Sequence, residues 1–389
     1  SRQRYWGTPL PIWVCEKCGA VFVAGSKREL FSKAKERVEL PELHRPWIDR
    51  VVLACDRCGG DMKRVPDVLD VWFDSGVAFY ASLGYPRDRK LEELWPVDFV
   101  VEGHDQISGW FYSLMRVGIL GFGRAPYETV LMHGFALDEE GREMHKSLGN
   151  FVSALEAIEP YGRDSFRLYV LSNTIWEDLK FSWRGLREAY SDLNVLWNVY
   201  RFASTYMLLD RFDPKKKAVP PRSIEDRWIL SRLQTLIKEV TEYMESYRIH
   251  AAVRALRKFV VEDVSHRYVK LIRRRVWIEE EEESKLAAYS VLYRVLFDYL
   301  RLLAPFAPYL AEYLYQEFFR RVDPELPESV HMLDWPEFEG ELRDPELEEL
   351  AELAFEVVEA GLAARNRAGI KIRQPLPELV VATSDPKLK

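Results

Sequence analysis

The four cysteines of the chain are the residues whose spacing most directly indicates a chemical role. They form two Cys-x-x-Cys pairs, Cys15 with Cys18 and Cys55 with Cys58, and none is left over. A glycine follows each pair, so a tight turn can direct both sulfur atoms at one point. Four thiolates match the closed tetrahedral shell of structural Zn²⁺, so the sequence predicts a metal site that stabilises the fold and takes no part in catalysis. The spacer between the pairs is longer than in the usual zinc ribbon, so we expect an insertion between the knuckles.

Two disulfides, or inert buried thiols, are the alternatives for these cysteines. The polar and basic start, Ser1–Arg4, has no apolar signal core, so the sequence predicts a cytoplasmic location without export. Disulfides are rare in that reducing compartment. No charge-free stretch reaches the roughly 18 apolar residues that span a bilayer, so no membrane partner is expected.

A second set of polar residues follows the predicted strand Val97–Val101. The sequence there reads Glu102-Gly103-His104-Asp105-Gln106 and continues into a predicted helix that ends near Leu120. A parallel sheet presents its carboxyl edge to ligands, and glycine permits close backbone approach. Glu102 and Asp105 could accept hydrogen bonds from sugar hydroxyls while the helix start faces an anion. An ordinary helix cap by Asp105 is the alternative.

A cationic loop follows a second predicted strand within Tyr127–Met132. His133-Gly134-Phe135 leads to Asp138-Glu139-Glu140-Gly141, which is typical of a hairpin turn, and then to Lys146 before Gly149. A lysine on such a loop can neutralise the phosphate charge that develops in a transition state. A solvated surface lysine is the alternative.

The elements that position these residues change character along the chain. Alternating strand and helix patterns between residues 1 and 150 predict an α/β part with parallel strands. Long amphipathic helices from about Leu186 to Phe319, broken by prolines near Phe212–Pro221, predict an all-α domain. An acidic helix containing Leu347–Phe355 follows, and then a short predicted strand, Leu379–Val381.

The net charge of −7 excludes a histone-like wrapper but not a local nucleic-acid site. Within residues 250–277 the charge is locally basic, which suits contacts with RNA phosphates. A salt-bridged, solvated helix face is the alternative, because the acidic run Glu279–Glu283 follows at once. The residues predicted to contact nucleic-acid phosphates are Arg267, Lys270, Arg273, Arg274 and Arg275.

Five motifs in this order resemble those of the class I aminoacyl-tRNA synthetases, and most closely the isoleucyl-tRNA synthetases. They are Ser1-Arg2-Gln3-Arg4-Tyr5-Trp6-Gly7, Asp70-Val71-Trp72-Phe73-Asp74-Ser75-Gly76, Glu102-Gly103-His104-Asp105-Gln106, Gly109-Trp110-Phe111 and Met144-His145-Lys146-Ser147. The terminal Ala368-Gly369-Ile370-Lys371-Ile372-Arg373-Gln374-Pro375-Leu376 favours the same family. The resemblance covers essentially the whole chain.

The resemblance implies the second half of a Rossmann-type sheet with a zinc-ribbon insertion, followed by a helical-bundle domain. The implied division is a catalytic portion at 1–150 with a zinc module at 12–65, a stem-contact connection at 151–187, an anticodon-binding domain at 188–340, and a linker with the start of a C-terminal domain at 341–389. Lys146 is the implied catalytic residue. The implied substrate-binding and ATP-binding residues are Trp72, Glu102, Gly103, Asp105, Gln106, Trp110, His133, Gly134 and Met144.

The implied reaction joins isoleucine to ATP, with Mg²⁺, and then transfers the acyl group to tRNA(Ile). The loop departs from the family's Lys-Met-Ser-Lys-Ser pattern, because Glu143 replaces the first lysine and His145 the first serine. The His-Ile-Gly-His signature and the editing domain of the family do not occur in the chain. We therefore expect a C-terminal portion that is active only with a missing N-terminal half. A catalytically silent, zinc-stabilised tRNA-binding module, or the same portion of a valyl- or leucyl-tRNA synthetase, remains the alternative.

Overall fold

A computed structural model describes residues 4–88, 91–280 and 282–383 of the chain. The chain divides into two compact units, Ser1–His133 and Gly134–Lys389. The motif residues Ser1, Arg2 and Gln3 lie outside the described residues. In the described part, no helix combines the length and the apolar character that crossing a membrane requires. The extension of the catalytic portion to residue 150 stays a prediction.

The first unit begins with a small antiparallel sheet whose strands follow the order β2-β1-β4-β3. The strands are β1 (Ile12–Cys15), β2 (Val21–Val23), β3 (Leu53–Ala54) and β4 (Asp61–Arg64). Helix α1 (Lys27–Lys33) and a 3-10 turn (Ile48–Arg50) lie between β2 and β3, as the long spacer predicted. Trp13 is buried here and its indole N–H donates to the Val51 carbonyl at 2.8 Å, which ties the insertion to β1.

The rest of the first unit contains the predicted parallel strands. Its elements are α2 (Val71–Gly76), α3 (Ala78–Ala81), α4 (Leu91–Leu94), β5 (Val97–Gly103), a 3-10 turn (His104–Ile107), α5 (Trp110–Phe122) and β6 (Tyr127–His133). Strands β5 and β6 pair in parallel and α5 connects them, so this prediction is confirmed. Among the described residues β5 pairs with β6 alone, so one edge of β5 carries no strand.

The predicted helix from Gln106 to Leu120 is in fact two elements, because Gly109 interrupts it with a non-helical backbone. The Gln106 side-chain oxygen accepts the Trp110 N–H at 3.1 Å and so satisfies the start of α5. Asp105 does not cap a helix, since its carboxylate accepts a hydrogen bond from the Gln106 amide at 2.9 Å.

The second unit begins with a short parallel pair and two helices. These elements are β7 (Ala136–Leu137), a 3-10 turn (Lys146–Leu148), α6 (Ala154–Tyr161), α7 (Arg163–Leu171) and β8 (Leu179–Lys180). The hairpin turn predicted at residues 138–141 is confirmed, because the Gly141 N–H donates to the Asp138 carbonyl and Gly141 has a φ of 81°.

Long helices form the remainder, which confirms the predicted helical domain. They are α8 (Trp183–Leu209), α9 (Ile224–Glu245), α10 (Ile249–Lys258), a π-helical segment (Phe259–Tyr268), α11 (Val269–Val276), α12 (Glu283–Leu303), α13 (Pro308–Leu314), a second π-helical segment (Tyr315–Arg320), 3-10 turns (Val330–Met332 and Gly340–Leu342) and α14 (Pro345–Arg367). The apolar faces of α8, α9, α10 and α12 bury one continuous core, whose members include Leu186, Ile229, Val253 and Leu292.

Helix α14 is held to α9 by a polar cluster around Glu348. The Glu348 carboxylate accepts hydrogen bonds from Ser231 at 2.5 Å, from Thr235 at 2.7 Å and from Arg232 at 2.7 Å. The strand predicted at Leu379–Val381 is wrong: in the described part no strand lies beside this segment, which instead lines a groove along α14.

Candidate functional site

The four cysteines meet at one point of the first unit. Their sulfur atoms all lie within 4.8 Å of one another, and the thiols form no disulfide. Cys15 and Cys18 flank the turn between β1 and β2, and Cys55 and Cys58 flank the turn between β3 and β4. The glycine after each pair has a positive φ, 70° at Gly19 and 68° at Gly59, which closes each turn.

The spacing of these sulfur atoms fits tetrahedral metal coordination. The Cys15–Cys58 and Cys18–Cys55 sulfur pairs are 3.5 Å and 3.7 Å apart. Zinc–sulfur bonds of about 2.3 Å in a tetrahedron place the sulfur atoms about 3.8 Å apart, whereas a disulfide needs about 2.05 Å. The backbone N–H of Cys18, with smaller contributions from neighbouring groups, lowers the pKa of Cys15 to about 6. The cluster therefore has the donor type, the number and the spacing of a closed metal site.

The acidic turn lies at the carboxyl edge of the parallel strands. In the ladder Glu102 is opposite Met132, and Gly103 is opposite His133. A Cβ on Gly103 would lie 2.5 Å from the Asp105 carboxylate, so a side chain at that position would displace this carboxylate. The carboxylates of Glu102 and Asp105 are both exposed at this edge. The structure thus brings together Glu102, Gly103, Asp105 and His133, as the sequence predicted for neighbouring strand ends.

The two tryptophans predicted to line one pocket both lie near Gly109. A Cβ on Gly109 would come within 3.1 Å of the Trp72 ring, and the Trp110 indole N–H donates to the Ser75 carbonyl at 3.0 Å. The rings nevertheless line different cavities of the first unit. Trp110 lines one of about 310 Å³ together with Glu102, and Trp72 lines one of about 560 Å³. A shared amino-acid pocket stays a prediction.

A side-chain clamp closes the loop that carries Lys146. The Asp138 carboxylate accepts the Arg142 backbone N–H at 2.8 Å and the Asn150 amide at 2.9 Å. Asn150 also donates to the Glu143 carbonyl and accepts the His145 backbone N–H, both at 2.9 Å. The Asn150 hydrogen bond, followed by those from Arg142, lowers the pKa of Asp138 to about 2. Both ends of the loop are therefore tied to one ionised carboxylate.

The two residues that depart from the family pattern contact each other. The His145 Nε2 lies 3.3 Å from a Glu143 carboxylate oxygen, so the acidic replacement faces the imidazole. Lys146 is exposed and its Nζ lies 5.5 Å from the centre of the Phe151 ring. Met144 packs against the helical core, and its contact with ATP stays a prediction.

Gly134 has a packing role in the second unit. Its N–H donates to the Ile175 carbonyl at 2.9 Å, and a Cβ there would overlap the Glu177 backbone. Glu102 and His133 belong to the first compact unit, and Gly134 and Lys146 to the second. A common cleft between Glu102 and Lys146 stays a prediction.

Two of the arginines predicted to bind tRNA are used inside the protein. The Arg275 guanidinium pairs with Asp226 at 2.8 Å and Glu225 at 3.0 Å. Arg267 pairs with Glu352 at 2.6 Å and with Asp263 at 3.3 Å. A buried carboxylate needs a partner cation, so these two guanidinium groups are structural.

The other three cations, Lys270, Arg273 and Arg274, are exposed on α11. None of the three forms an ion pair with any carboxylate of the described residues. The predicted phosphate contacts therefore rest on these three side chains.

Sequence reasoning missed the Asp138–Asn150 clamp. The only signal was the Asp-x-x-Gly turn beginning at Asp138, and the turn does not reveal which later side chain binds the carboxylate.

Comparisons with known proteins agree across the chain. A family model described as tRNA synthetases class I (I, L, M and V) matches residues 1–182, and one described as anticodon-binding domain of tRNA ligase matches residues 226–381. An isoleucine–tRNA ligase of Methanothrix thermoacetophila is 51% identical over 99% of this chain and 37% of its own length. One of Methanopyrus kandleri is 50% identical over 100% of this chain and 38% of its own length. The chain thus spans little more than a third of these curated relatives.

Solved structures also resemble the fold. In a LeuRS–tRNA–LeuAMS ternary complex from Agrobacterium radiobacter K84, the matched chain is 25% identical, with a TM-score of 0.66 over 88% of this chain and 42% of that one. Methionyl-tRNA synthetase of Mycobacterium tuberculosis with methionyl-adenylate is 22% identical, with a TM-score of 0.55 over 68% of this chain and 54% of that one, which shows the fold alone.

Proposed function

This chain belongs to the class I aminoacyl-tRNA synthetases, and from that premise we propose that it supplies part of an isoleucine–tRNA ligase. The protein that contains it would activate isoleucine with ATP and Mg²⁺ and transfer the acyl group to tRNA(Ile). The observation that carries the proposal is the register of the parallel strands, in which Gly103 lies opposite His133 at the carboxyl edge. Identity of about 50% with isoleucine–tRNA ligases over almost the whole chain supports it.

The proposed chemistry needs positioning and charge neutralisation more than proton transfer. The isoleucine carboxylate is already a nucleophile toward the α-phosphorus of ATP, and pyrophosphate leaves. The exposed carboxylates of Glu102 and Asp105 would accept hydrogen bonds from the ammonium group and the ribose, while Gly103 lets the nucleotide approach the backbone. Lys146 would neutralise charge on the phosphates, with Mg²⁺ supplying the remaining positive charge.

The test is isoleucine-dependent exchange of pyrophosphate into ATP. We expect exchange by a protein that carries this chain together with the rest of the length of its relatives, and no appreciable exchange by the chain alone. Lys146→Ala should reduce exchange strongly, whereas the control Lys238→Ala, an exposed lysine of α9, should not. Exchange that depends on valine or leucine rather than isoleucine would refute the isoleucine assignment.

The alternative is an RNA-binding module without catalysis, and one observation favours it. Glu143 stands where the family has a lysine, and its carboxylate pairs with His145. Lys146 is therefore the one lysine that remains in the loop motif to neutralise phosphate charge. The same assay decides between the two: absence of exchange in the full-length protein, with RNA binding retained, would establish the module.

We also propose that Cys15, Cys18, Cys55 and Cys58 hold one structural Zn²⁺ and that residues 12–65 form a zinc ribbon. The sulfur spacing and the two glycine-closed turns support this. Metal analysis should give about one zinc per chain, and Co²⁺ substitution should give thiolate charge-transfer absorption. Cys55→Ser should lose that signal, and Arg57→Ala, a control inside the same knuckle, should keep it. A metal-free protein with unchanged unfolding would remove the proposal.

The tRNA contacts are proposed for the helical domain, which an anticodon-binding family model overlaps. Charge reversal of Lys270, Arg273 and Arg274 should weaken tRNA binding and flatten its salt dependence. Reversal of Lys238, which pairs with Glu242 on α9, is the matched control. Unchanged affinity at several salt concentrations would exclude these contacts.

A further inference from the structure

Strand β8 lies beside the strand that leads into the loop carrying Lys146. Strands β7 and β8 pair in parallel, and each has only 2 residues. The Leu179 N–H donates to the Phe135 carbonyl at 2.8 Å, and the Phe181 N–H donates to the Leu137 carbonyl at 2.9 Å. So short a pair forms few backbone hydrogen bonds. A side chain that adds to them therefore contributes much to where β7 lies.

The Asp178 carboxylate supplies such a side-chain contact at the start of the pair. Its Oδ1 accepts the Phe135 N–H at 2.8 Å. Because the neighbouring Leu179 donates to the Phe135 carbonyl, Asp178 and Leu179 together bind both backbone polar groups of the residue that precedes β7. A hydrogen bond to an ionised carboxylate is stronger than one between neutral groups. Asp178 therefore fixes the chain just before it enters β7.

The segment that presents this carboxylate is held by two helices. The buried Tyr169 of α7 donates its hydroxyl proton to the Lys180 carbonyl at 3.2 Å and accepts the Ser182 N–H at 2.7 Å. The Arg254 guanidinium of α10 donates to the Ser172 carbonyl at 2.8 Å. The position of the carboxylate therefore depends on the helical core rather than on the loop that it anchors.

Strand β7 contacts the segment leading to Lys146 on its other side. Leu137 forms an antiparallel bridge with Glu143, which precedes Lys146 in the loop. Strand β7 thus lies between β8 and the segment that leads to the lysine. The Lys146 ammonium contacts the Phe151 ring and, among the described residues, forms no ion pair. Its position therefore depends on the loop backbone that β7 supports.

We propose that Asp178 is a positioning residue for the activation of isoleucine. By holding Phe135 it fixes β7, and through β7 it sets where the Lys146 ammonium lies relative to the phosphates of ATP. A charged group stabilises a transition state only when it is placed correctly beforehand, and a displacement of about 1 Å can cost roughly 100-fold in rate. Asp178 acts through Lys146 and contacts no substrate. The inference rests on the proposed function, because it takes ATP to be the ligand of this loop.

The first measurement needs no activity: it is hydrogen–deuterium exchange in the chain. In Asp178→Ala the Phe135 amide should exchange about tenfold faster, the order expected for the loss of one exposed hydrogen bond to a charged acceptor, and residues 142–149 should also exchange faster. Asp178→Asn retains an oxygen acceptor and should exchange nearly as the parent does. The matched control is Glu177→Ala, because the neighbouring Glu177 side chain is exposed and forms no hydrogen bond within the described residues.

The second measurement is isoleucine-dependent ATP–pyrophosphate exchange by the full-length protein. Asp178→Ala should lower kcat about tenfold and leave the KM for isoleucine unchanged, because a displaced Lys146 weakens transition-state stabilisation and not amino-acid binding. Asp178→Asn should recover most of kcat, and Glu177→Ala should keep it. In a Lys146→Ala background, Asp178→Ala should cause no further loss, since Asp178 acts through that lysine. A merely structural role would not give this dependence.

The outcomes separate this inference from the proposed function. Parental kcat in Asp178→Ala, or parental exchange of the Phe135 amide, would overturn the positioning role. Losses that multiply in the double variant would also overturn it, because Asp178 would then act independently of Lys146. Each of these results in an active parent leaves the proposed function standing. A full-length protein without isoleucine-dependent exchange would refute the proposed function, whereas faster exchange of residues 142–149 in Asp178→Ala would still support the anchor.

Discussion

The clamp formed by Asp138 and Asn150 gives the sharpest test of how the Lys146 loop is organised. Replacing Asn150 by alanine removes three hydrogen bonds, to the Asp138 carboxylate, to the Glu143 carbonyl and from the His145 N–H. The Asp138 carboxylate then keeps its contacts with Arg142 at the first end of the loop. We expect the loop to open more readily while the rest of the fold persists.

The magnitude follows from the number of bonds and their exposure. Each hydrogen bond contributes about 0.5–1.5 kcal/mol net, and partial exposure favours the lower end of that range. The three together give about 1.5–3 kcal/mol for opening the loop, which corresponds to roughly 10- to 150-fold in an equilibrium constant. The His145 amide, which Asn150 protects directly, should therefore exchange with solvent faster by that factor.

Hydrogen–deuterium exchange of residues 142–149 in the chain is the direct assay. Asn366→Ala on α14 is the matched control, because Asn366 is exposed and its side chain forms no hydrogen bond within the described residues. The pKa of the Asp138 carboxyl, about 2 in the parent, should rise toward its ordinary value in Asn150→Ala and can be followed by carbon NMR. In the full-length protein the same change should lower ATP–pyrophosphate exchange about tenfold.

An unchanged exchange rate at His145 together with an unchanged Asp138 titration would refute this reasoning. Faster amide exchange with full enzymatic activity would show that the clamp orders the loop without limiting catalysis.

Two further changes test the packing of the second unit. Arg275→Ala should destabilise the fold by about 3–5 kcal/mol, because it leaves the fully buried Asp226 carboxylate without its cation. Denaturant unfolding measures this change. The control Arg274→Ala, on the exposed face of α11, should change the free energy of unfolding little. Burial alone would raise the pKa of Asp226, but Arg275 lowers that pKa below its usual value. The ionised Asp226 therefore stabilises the fold above the unfolded pKa of about 3.9, and this stabilisation disappears as pH falls through the folded pKa. Unfolding measured between pH 6 and pH 2 should show this loss in the parent and not in Arg275→Ala. Gly134→Ala should disrupt the segment that contacts the Glu177 backbone and lower the thermal midpoint; an unchanged midpoint would contradict the close approach.

Sequence reasoning succeeded where residue type and spacing determine geometry. The meeting of Cys15, Cys18, Cys55 and Cys58 followed from two short loops that each aim two sulfur atoms at one point. The neighbouring positions of Gly103 and His133 followed from parallel strands, whose carboxyl ends share one edge. In both cases the local pattern leaves few alternatives.

The remainder depended on tertiary contacts that no local pattern contains. Helical periodicity does not distinguish Arg275 from Arg274, because the outcome depends on the Asp226 carboxylate that α9 presents from a distant part of the chain. The segment Leu379–Val381 has the composition of a strand but no neighbouring strand to pair with in the described part. Asn150 could not be assigned because its partner Asp138 lies twelve positions earlier, across a turn.

The bare edge of β5 has a consequence for how the chain behaves when it is handled alone. Backbone N–H and C=O groups along such an edge are a template for another strand, and Val101, which is 46% exposed, adds apolar area beside it. We expect the purified chain to self-associate as its concentration rises, through pairing of this edge with the same edge of a second copy. Sedimentation at increasing concentration should report that association, and a charged substitution at Val101 should suppress it.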